Sequence, residues 1–174
     1  YFLEPVSRTY KDYVPEDARL GIKNLFSNAS SPLNLVSSAL QGDVDKVVRV
    51  LGRLVLNTVV GLGGLFDVAK YYEIESVNED IEQALGHYDV PAGPYLVLPF
   101  FGPSSGRGIV GRAADSFLSP TVWFSPTFLV GAGITLEDTV NSSSFILDDI
   151  DALEKDAVDP YVSQRDFYHQ YREG

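Results

Sequence analysis

Two long stretches of this chain carry no charged side chain, yet proline interrupts both of them. Residues 116–136 form 21 consecutive uncharged positions, close to the length of about 20 apolar residues that a membrane-spanning helix needs. Pro120 and Pro126 lie inside this stretch, and each removes a backbone hydrogen bond and clashes with the preceding helical turn. An unbroken spanning helix is therefore excluded, and two bent pieces are expected.

Two interpretations of these pieces stay open at the level of the sequence. They form a buried core segment of a soluble protein, or they lie at the headgroup depth of a membrane. Trp123 and Phe124 favour that depth. Backbone at membrane depth also needs neighbouring protein to satisfy its polar groups. Residues 90–106 are uncharged as well and contain four prolines, so they are not expected to form a regular helix.

The charge of the chain restricts its partners. The net charge is −11, of which residues 137–174 contribute −7 and residues 1–136 contribute −4. Affinity for nucleic acid comes from Lys and Arg, so no nucleic-acid partner is predicted. Anionic membrane surfaces attract basic segments, so any contact with lipid is expected to be apolar. There is no cysteine, which excludes disulfides, thiolate metal sites and cysteine nucleophiles.

The remaining pattern predicts an all-α protein of a single domain, residues 1–174. Residues 1–14 are expected to be irregular, and a helix is predicted to begin near Pro15. Asp43 is a good N-cap for a helix that extends to about residue 60. Residues 137–157 indicate an acidic amphipathic helix, and Asp159 with Pro160 is predicted to start the last helix. One credible strand lies at residues 95–101.

The helix after Asp43 has a narrow polar stripe and a wide apolar face. The polar stripe repeats at intervals of three and four residues and consists of Lys46, Arg49, Arg53 and Asn57. Valine and leucine cover most of the remaining surface. A helix of this type is buried on several sides or lies in lipid.

Two short motifs match a catalytic or a cofactor-binding pattern, but the surrounding sequence does not support either function. Gly102 to Gly106 satisfies G-x-S-x-G with Ser104 as the nucleophile, and Asp148 and His169 follow in the order of a hydrolase triad. That fold needs several parallel strands, which the sequence does not predict. Residues 106–111 satisfy G-x-G-x-x-G, but no acid follows about twenty residues on, where a dinucleotide site requires one. We therefore predict no catalytic residue, no metal site and no enzyme activity.

Several short blocks occur in order over most of residues 13–172. The most specific reads V-P-A-G-P-Y-L-V-L-P at residues 90–99. The others are G-I-K-N-L-F-S-N at 21–28, G-L-G-G-L-F-D-V-A at 61–69, G-P-S with Arg107 at 102–107, and Asp159-Pro160-Tyr161. On these blocks the chain resembles the MlaA (VacJ) family of outer-membrane lipoproteins.

The chain also departs from the family pattern at a few positions. Ile81 and Glu82 replace the Phe-Gly pair that usually follows Glu-Asp, and Gly108 replaces the Asp after the Arg. Leu25 replaces the first of two phenylalanines. The family's lipidated cysteine is not among these residues; either it lies outside this sequence or this member has no anchor.

The resemblance implies a ring of amphipathic helices, shaped like a doughnut, in the periplasmic leaflet of the outer membrane. Family members remove misplaced phospholipid from the outer leaflet through a polar central channel. They pass it to the periplasmic lipid carrier MlaC, maintain lipid asymmetry and associate with trimeric porins. No cofactor is implied.

Two groups of residues become candidates under this resemblance. Arg49, Arg53 and Asn57 share one helix stripe and are placed to line the channel wall, where arginine suits a phosphate through its forked donors. The alternative is that they pair with acids of the C-terminal helix. Asn24, Leu25 and Phe26 match the family position of a segment that adjusts channel access, so they are hinge candidates. A serine hydrolase using Ser104 and a scaffold that transports nothing are the competing functions.

Overall fold

The computed structural model describes residues 3–98, 102–119, 128–149, 151 and 159–173. In this part of the chain α-helices alternate with short connections, and one small sheet interrupts them. The helices are α1 (Leu3–Tyr13), α2 (Glu16–Ala29), α3 (Ser31–Leu40), α4 (Val44–Val59), α5 (Ile81–His87), α6 (Gly106–Leu118), α7 (Phe128–Ser143) and α8 (Pro160–Glu173). A short 3₁₀ helix, Ala69–Tyr72, follows α4. The predicted all-α class is confirmed.

Side-chain caps explain why several helices begin where they do. The carboxylate of Asp43 accepts the backbone N–H of Lys46 at 3.0 Å and starts α4. Asp80 caps α5 in the same way, and Ser105 caps α6 by accepting from Gly108 at 2.9 Å. Asp159 accepts the first backbone N–H groups of α8. Each cap satisfies a donor that a helix terminus leaves unpaired, and the starts predicted at Pro15, Asp43 and Asp159 are confirmed.

Three expectations about local structure were wrong. The first residues form helix α1 rather than an irregular segment. Residues 137–157 do not form one helix, because α7 begins inside the uncharged stretch at Phe128 and ends at Ser143, where a turn follows. A second strand pairs with the one predicted: β1 (Tyr95–Leu98) lies antiparallel to β2 (Gly102–Ser105), with Tyr95 opposite Ser105. The tip of this hairpin and residues 120–127 lie outside the described residues.

The buried side chains of this protein are mostly polar, whereas those of an ordinary soluble protein are mostly apolar. Among the described residues, the buried hydrophobic ones are Val50, Ala69, Ile81, Ala84, Leu147 and Tyr168. Twice as many buried residues are polar or charged: Ser7, Arg19, Ser31, Ser37, Ser38, Asn57, Glu82, Ser104, Ser105, Arg107, Asn141 and Ser144. Lys, Arg, Asp and Glu are rarely buried in soluble proteins unless they are paired. The described interior is therefore unusually polar, and the hydroxyls of Ser7, Ser37, Ser38 and Ser104 have no hydrogen-bond partner within the described part of the chain.

The apolar side chains lie mostly on the outside. Helix α4 exposes a stripe, hereafter the α4 stripe, that consists of Val44, Val48, Leu51, Val55 and Val59, with exposed fractions from 43% to 74%. Their spacing of three or four residues places them on one face of the helix. In the part of the chain that the structure describes, no helix combines the length and the hydropathy required to cross a bilayer.

Packing contacts link the described helices to one another. Helix α2 packs on α3 and α4, and α3 packs on α5 and α6. Helix α5 packs on α6 and α8, and α7 returns to pack on α1 and α2. The last long helix before α8 thus meets the first two helices of the chain.

Candidate functional site

A return segment, residues 67–79, covers the polar stripe of α4. It runs opposite to the helix, so that Asp67 lies beside Arg53 and Asn57, and Glu75 beside Arg49. Glu79 lies beside Lys46, near the start of the helix, with a 2.8 Å ion pair. The three channel candidates are therefore brought to one surface, and that surface is bonded to the segment that follows the helix.

Arg53 and Asn57 share one carboxylate. Arg53 donates to both oxygens of Asp67 at 2.8 Å, and to the carbonyl of Ile74. Asn57, which is 7% exposed, donates to Asp67 at 3.1 Å and accepts the backbone N–H of Ala69 at 2.9 Å. A single guanidinium nitrogen of Arg53, Nη2, serves both carboxylate oxygens, and charge-assisted hydrogen bonds are stronger than neutral ones, so Asp67 holds the return segment against α4.

Arg49 is bonded at the surface rather than in the interior. Its guanidinium donates to Asp45 one turn earlier and to Glu75 at 2.9 Å. Both carboxylates are mostly exposed, so this pair adds little stability. The alternative of pairing with acids is observed, but among the described residues the acids lie in α4 itself and in the return segment and not in the C-terminal helix.

The bonds to Asp67 predict an acid-sensitive contact. Burial by itself would raise the pKa of Asp67, but hydrogen bonds from Arg53 and Asn57 lower it overall, below its ordinary value of 3.8. A carboxyl whose pKa is lower in the folded state contributes stability above its unfolded pKa and loses it as the pH falls through the folded pKa. We expect the free energy of unfolding to fall as the pH drops below about 4, and to fall less in Asp67→Asn.

Urea unfolding between pH 6 and pH 2.5 would measure this effect. Glu73→Gln is the matched control, because Glu73 lies in the same segment and forms no ion pair with a cation among the described residues. The interpretation fails if Asp67→Asn retains the whole acid dependence of the unmodified chain.

A small polar cavity adjoins Arg53 on the side towards α2 and α3. Its volume is about 20 Å³, and its lining includes Ser27, Ser31, Asn34 and Ser76. That volume holds about one water molecule. Arg53 therefore lies between a carboxylate and a hydroxyl-lined gap, on the inner side of three packed helices.

The hinge candidates lie where α2 meets the glycine-rich loop, residues 61–66. Asn24 donates its amide to the carbonyl of Leu65 at 3.2 Å, and Leu25 is 40% exposed. Sequence reasoning missed Asn28, whose amide donates to Thr58 at 3.0 Å and to the carbonyl of Gly63 at 3.2 Å. The sequence feature that could have identified Asn28 is its position one turn after Asn24, on the same face of the helix.

The loop approaches its neighbours too closely to admit a side chain at two positions. A Cβ at Gly61 would lie 2.2 Å from the carbonyl oxygen of Phe66 and 2.5 Å from that of Asn57. Gly64 has a φ of +102° and would place a Cβ 2.5 Å from the Cβ of Asn28. Glycine is required here for space and for backbone conformation. The loop is thus locked against the end of α4 and against α2.

A buried carboxylate joins the hairpin, α6 and α8. Glu82 on α5 is 2% exposed and accepts from the hydroxyl of Ser105 at 2.9 Å and from that of Tyr168 at 2.8 Å. A Cβ at Gly108 would lie 2.9 Å from its Oε2. In a capping box, the third helical residue supplies a carboxylate beside the N-cap serine. Here a carboxylate from another helix, that of Glu82, accepts from the side-chain hydroxyl of the N-cap serine. The two residues that depart from the family pattern, 82 and 108, are therefore in contact.

This contact predicts a compensating pair of substitutions. We expect Gly108→Asp to lose about 3 kcal/mol or more, because it forces a second carboxylate against a buried one. Glu82→Gly is also expected to destabilise, since it leaves two buried hydroxyls without their acceptor. The double variant is expected to recover most of the loss, because residue 108 then supplies the carboxylate. Chemical unfolding of all four proteins tests this; additive losses would contradict it.

The structure does not assemble the hydrolase pattern. Ser104 is 0% exposed on β2, where a substrate has no access to its hydroxyl. Asp148 pairs with Lys11 of α1 at 2.8 Å, in another part of the fold. His169 lies against the ring of Tyr95, with centroids 6.0 Å apart. The elbow motif needs an exposed nucleophile at the end of a strand, and here the motif serves the hairpin and the start of α6.

Comparison with known proteins gives a consistent result. A family model described as "MlaA lipoprotein" matches residues 1–174. The "Intermembrane phospholipid transport system lipoprotein MlaA" of Escherichia coli (strain K12) is 35% identical over 173 residues, which are 98% of this chain and 68% of that protein. The protein of the same name from Haemophilus influenzae is 30% identical over 176 residues, which are again 98% of this chain and 68% of that protein.

One solved structure extends this likeness to the fold. It comes from work described as "Structural basis for maintenance of bacterial outer membrane lipid asymmetry". It superimposes with a TM-score of 0.87 at 34% sequence identity, over 99% of this chain and 87% of the solved chain. An uncharacterised protein of Rickettsia felis is 31% identical over 172 residues.

Proposed function

The chain belongs to the MlaA lipoprotein family, and from this premise we propose that it removes mislocalised phospholipid from the outer leaflet of the outer membrane. The lipid passes through a central polar channel to a periplasmic lipid carrier, MlaC, and lipid asymmetry is maintained. The protein carries out no covalent chemistry. Residues 1–174 act as one domain in the periplasmic leaflet, next to a trimeric porin.

The inverted polarity of the molecule is the observation that carries this proposal. A phospholipid headgroup in hydrocarbon loses its hydration, which costs roughly 2–7 kcal/mol for each unpaired polar group and more for each charge. A ring with an apolar outside and a hydroxyl-rich inside removes most of that cost. The described helices have features of this distribution: α4 exposes valine and leucine, while the cavity beside Arg53 is lined by Ser27, Ser31, Asn34 and Ser76.

Arg49, Arg53 and Asn57 are proposed as wall residues that do not hold the lipid tightly. Arg49 and Arg53 are already neutralised by carboxylates, so a passing phosphate meets hydrogen-bonding groups without a strong ion pair. Weak binding suits a passage, because a ligand must leave the wall as readily as it enters. The polar cavity beside Arg53 supports this assignment.

Asn24, Leu25 and Phe26 are proposed as the segment that changes access to the channel. The bond from Asn24 to the carbonyl of Leu65 joins α2 to the glycine-rich loop. Asn28 adds two further bonds, to Thr58 and to the carbonyl of Gly63, so a change of access breaks all three bonds, at a cost of about 1 kcal/mol each. The loop itself stays fixed by its packing on α4.

A complementation experiment tests the function. In a bacterial strain that lacks its own MlaA, the full-length protein is expected to restore a phospholipid-free outer leaflet, measured by chemical labelling of surface-exposed phosphatidylethanolamine. Ser104→Ala is expected to complement fully if the hydrolase alternative is wrong. Purified protein is expected to carry phospholipid in native mass spectrometry. Unchanged surface labelling together with lipid-free protein would overturn the proposal.

A further inference from the structure

Arg19 is a buried cation whose hydrogen-bond partners among the described residues are all neutral. It lies on α2, is 7% exposed, and donates to the carbonyl of Val14 at 3.2 Å. Its other bonds go to Ser144, with 3.0 Å to the hydroxyl and 3.4 Å to the carbonyl oxygen. The guanidinium carbon lies 4.9 Å from the ring centroid of Phe145. None of these groups offsets its charge.

Lys23 places a second cation beside it. Its ammonium nitrogen lies 4.9 Å from the same Phe145 centroid, so the two charges flank one aromatic ring. The residues are four apart on one helix, a spacing at which like charges destabilise a helix by about 0.2–0.5 kcal/mol. In the part of the chain that the structure describes, neither forms an ion pair with a carboxylate.

This local excess of positive charge is unusual in a chain of net charge −11. Six other cations of the described residues each have a carboxylate oxygen within 2.9 Å. These are Arg8, Lys11, Lys46, Arg49, Arg53 and Arg165. The polar partners near Arg19 are hydroxyl, amide and carbonyl groups, and an anion is the missing component.

The surroundings of Arg19 are held rigidly. Asn141 of α7 donates to the backbone carbonyl of Arg19 at 3.1 Å and accepts the hydroxyl of Tyr10 at 2.9 Å. Ser144 and Phe145 follow in the turn after α7, so α1, α2 and α7 meet around the guanidinium. A guanidinium fixed in this way loses little conformational entropy when it binds an anion.

We propose that Arg19 and Lys23 form a phosphate-binding site against the Phe145 ring. Its ligand is the phosphodiester of a phospholipid headgroup, an identification that rests on the proposed function. Arginine supplies the oriented donors, lysine adds a mobile charge at the rim, and the ring keeps water from one side of both. Lys23 directly precedes Asn24, so a bound headgroup lies next to the proposed hinge.

Titration of the detergent-solubilised full chain tests the site with three probes: dihexanoyl phosphatidylethanolamine, dihexanoylglycerol, which lacks the phosphate, and inorganic phosphate. We expect the phospholipid to bind more tightly than dihexanoylglycerol. Lys23→Gln is expected to weaken it roughly three- to tenfold, because one charged contact is lost. Lys70→Gln is the matched control, since Lys70 is an exposed lysine far along the chain. It is expected to change nothing.

The outcomes test three points independently: the existence of the binding site, the identity of its ligand and the proposed function. Equal binding of dihexanoylglycerol, or equal effects of the two lysine variants, would overturn the phosphate site. Binding of inorganic phosphate as tight as that of the phospholipid, with the same loss in Lys23→Gln, would keep the site and overturn the headgroup as its source. Headgroup-dependent binding in a protein that fails to complement would retain the site and reject lipid removal. Arg19→Gln is a second variant, used only where its circular dichroism matches that of the unmodified chain.

Discussion

Replacing Gly61 by alanine is expected to destabilise the protein by about 4 kcal/mol or more, enough to unfold much of a marginally stable chain. The added methyl group would lie 2.2 Å from the carbonyl oxygen of Phe66 and 2.5 Å from that of Asn57. Both obstacles are backbone atoms, so no change of side-chain rotamer relieves the clash. The end of α4 and the glycine-rich loop would have to separate, and with them the contact to α2.

Gly63→Ala is the matched control for this prediction. Gly63 has a φ of +75°, but no neighbouring atom lies within 4 Å of the place that a Cβ would occupy, so it tests backbone strain without a clash. An alanine in that conformation is expected to cost roughly 1–2 kcal/mol. Chemical unfolding in detergent measures both variants. Similar losses in the two would show that backbone conformation alone, and not close packing, makes the loop rich in glycine.

Placing two aspartates on the α4 stripe is expected to abolish membrane association. Val48 and Val55 are 61% and 59% exposed, so they contribute little to the folded core. In the proposed orientation they face hydrocarbon, where each aspartate costs about 2.5–3.5 kcal/mol. The double variant Val48→Asp/Val55→Asp is expected to lose binding to phosphatidylethanolamine vesicles by roughly a thousandfold or more.

Val48→Leu/Val55→Leu is the control at the same two positions. It keeps the apolar surface and is expected to bind vesicles as the unmodified chain does. Flotation of vesicles measures association, and circular dichroism in detergent verifies that the helices are retained. If the aspartate variant floats with the vesicles as fully as the leucine variant, the α4 stripe faces something other than lipid.

Much of the local structure could be predicted because it depends on neighbours in sequence. Asp43 and Asp159 cap helices through backbone groups two or three residues away, and α6 ends at Leu118, shortly before Pro120. The start of the chain was missed because α1 is stabilised by packing on α7, a partner far away in sequence. The end of α7 was missed for the same reason, since its turn is held by Arg19.

In the candidate site, too, the features that depend on sequence neighbours could be predicted, and the contacts between distant residues could not. The periodicity of α4 was sufficient to place Arg49, Arg53 and Asn57 on one face. It did not indicate that residues 67–79 turn back along that face, so the acids that neutralise the arginines were sought in the C-terminal helix. The contact of Glu82 with Gly108 and the shared ring of Arg19 and Lys23 were also invisible, because each joins residues more than twenty positions apart.

By itself, the sequence determined the helical class, the family and the absence of an unbroken spanning helix, since these follow from periodicity, short blocks and the prolines of residues 116–136. Only the tertiary structure decided which side of each helix faces inward. An amphipathic helix specifies two faces but not which one meets solvent, lipid or protein. That choice is made by the partners that surround it. Here they bury serine, arginine and glutamate and leave the α4 stripe outside.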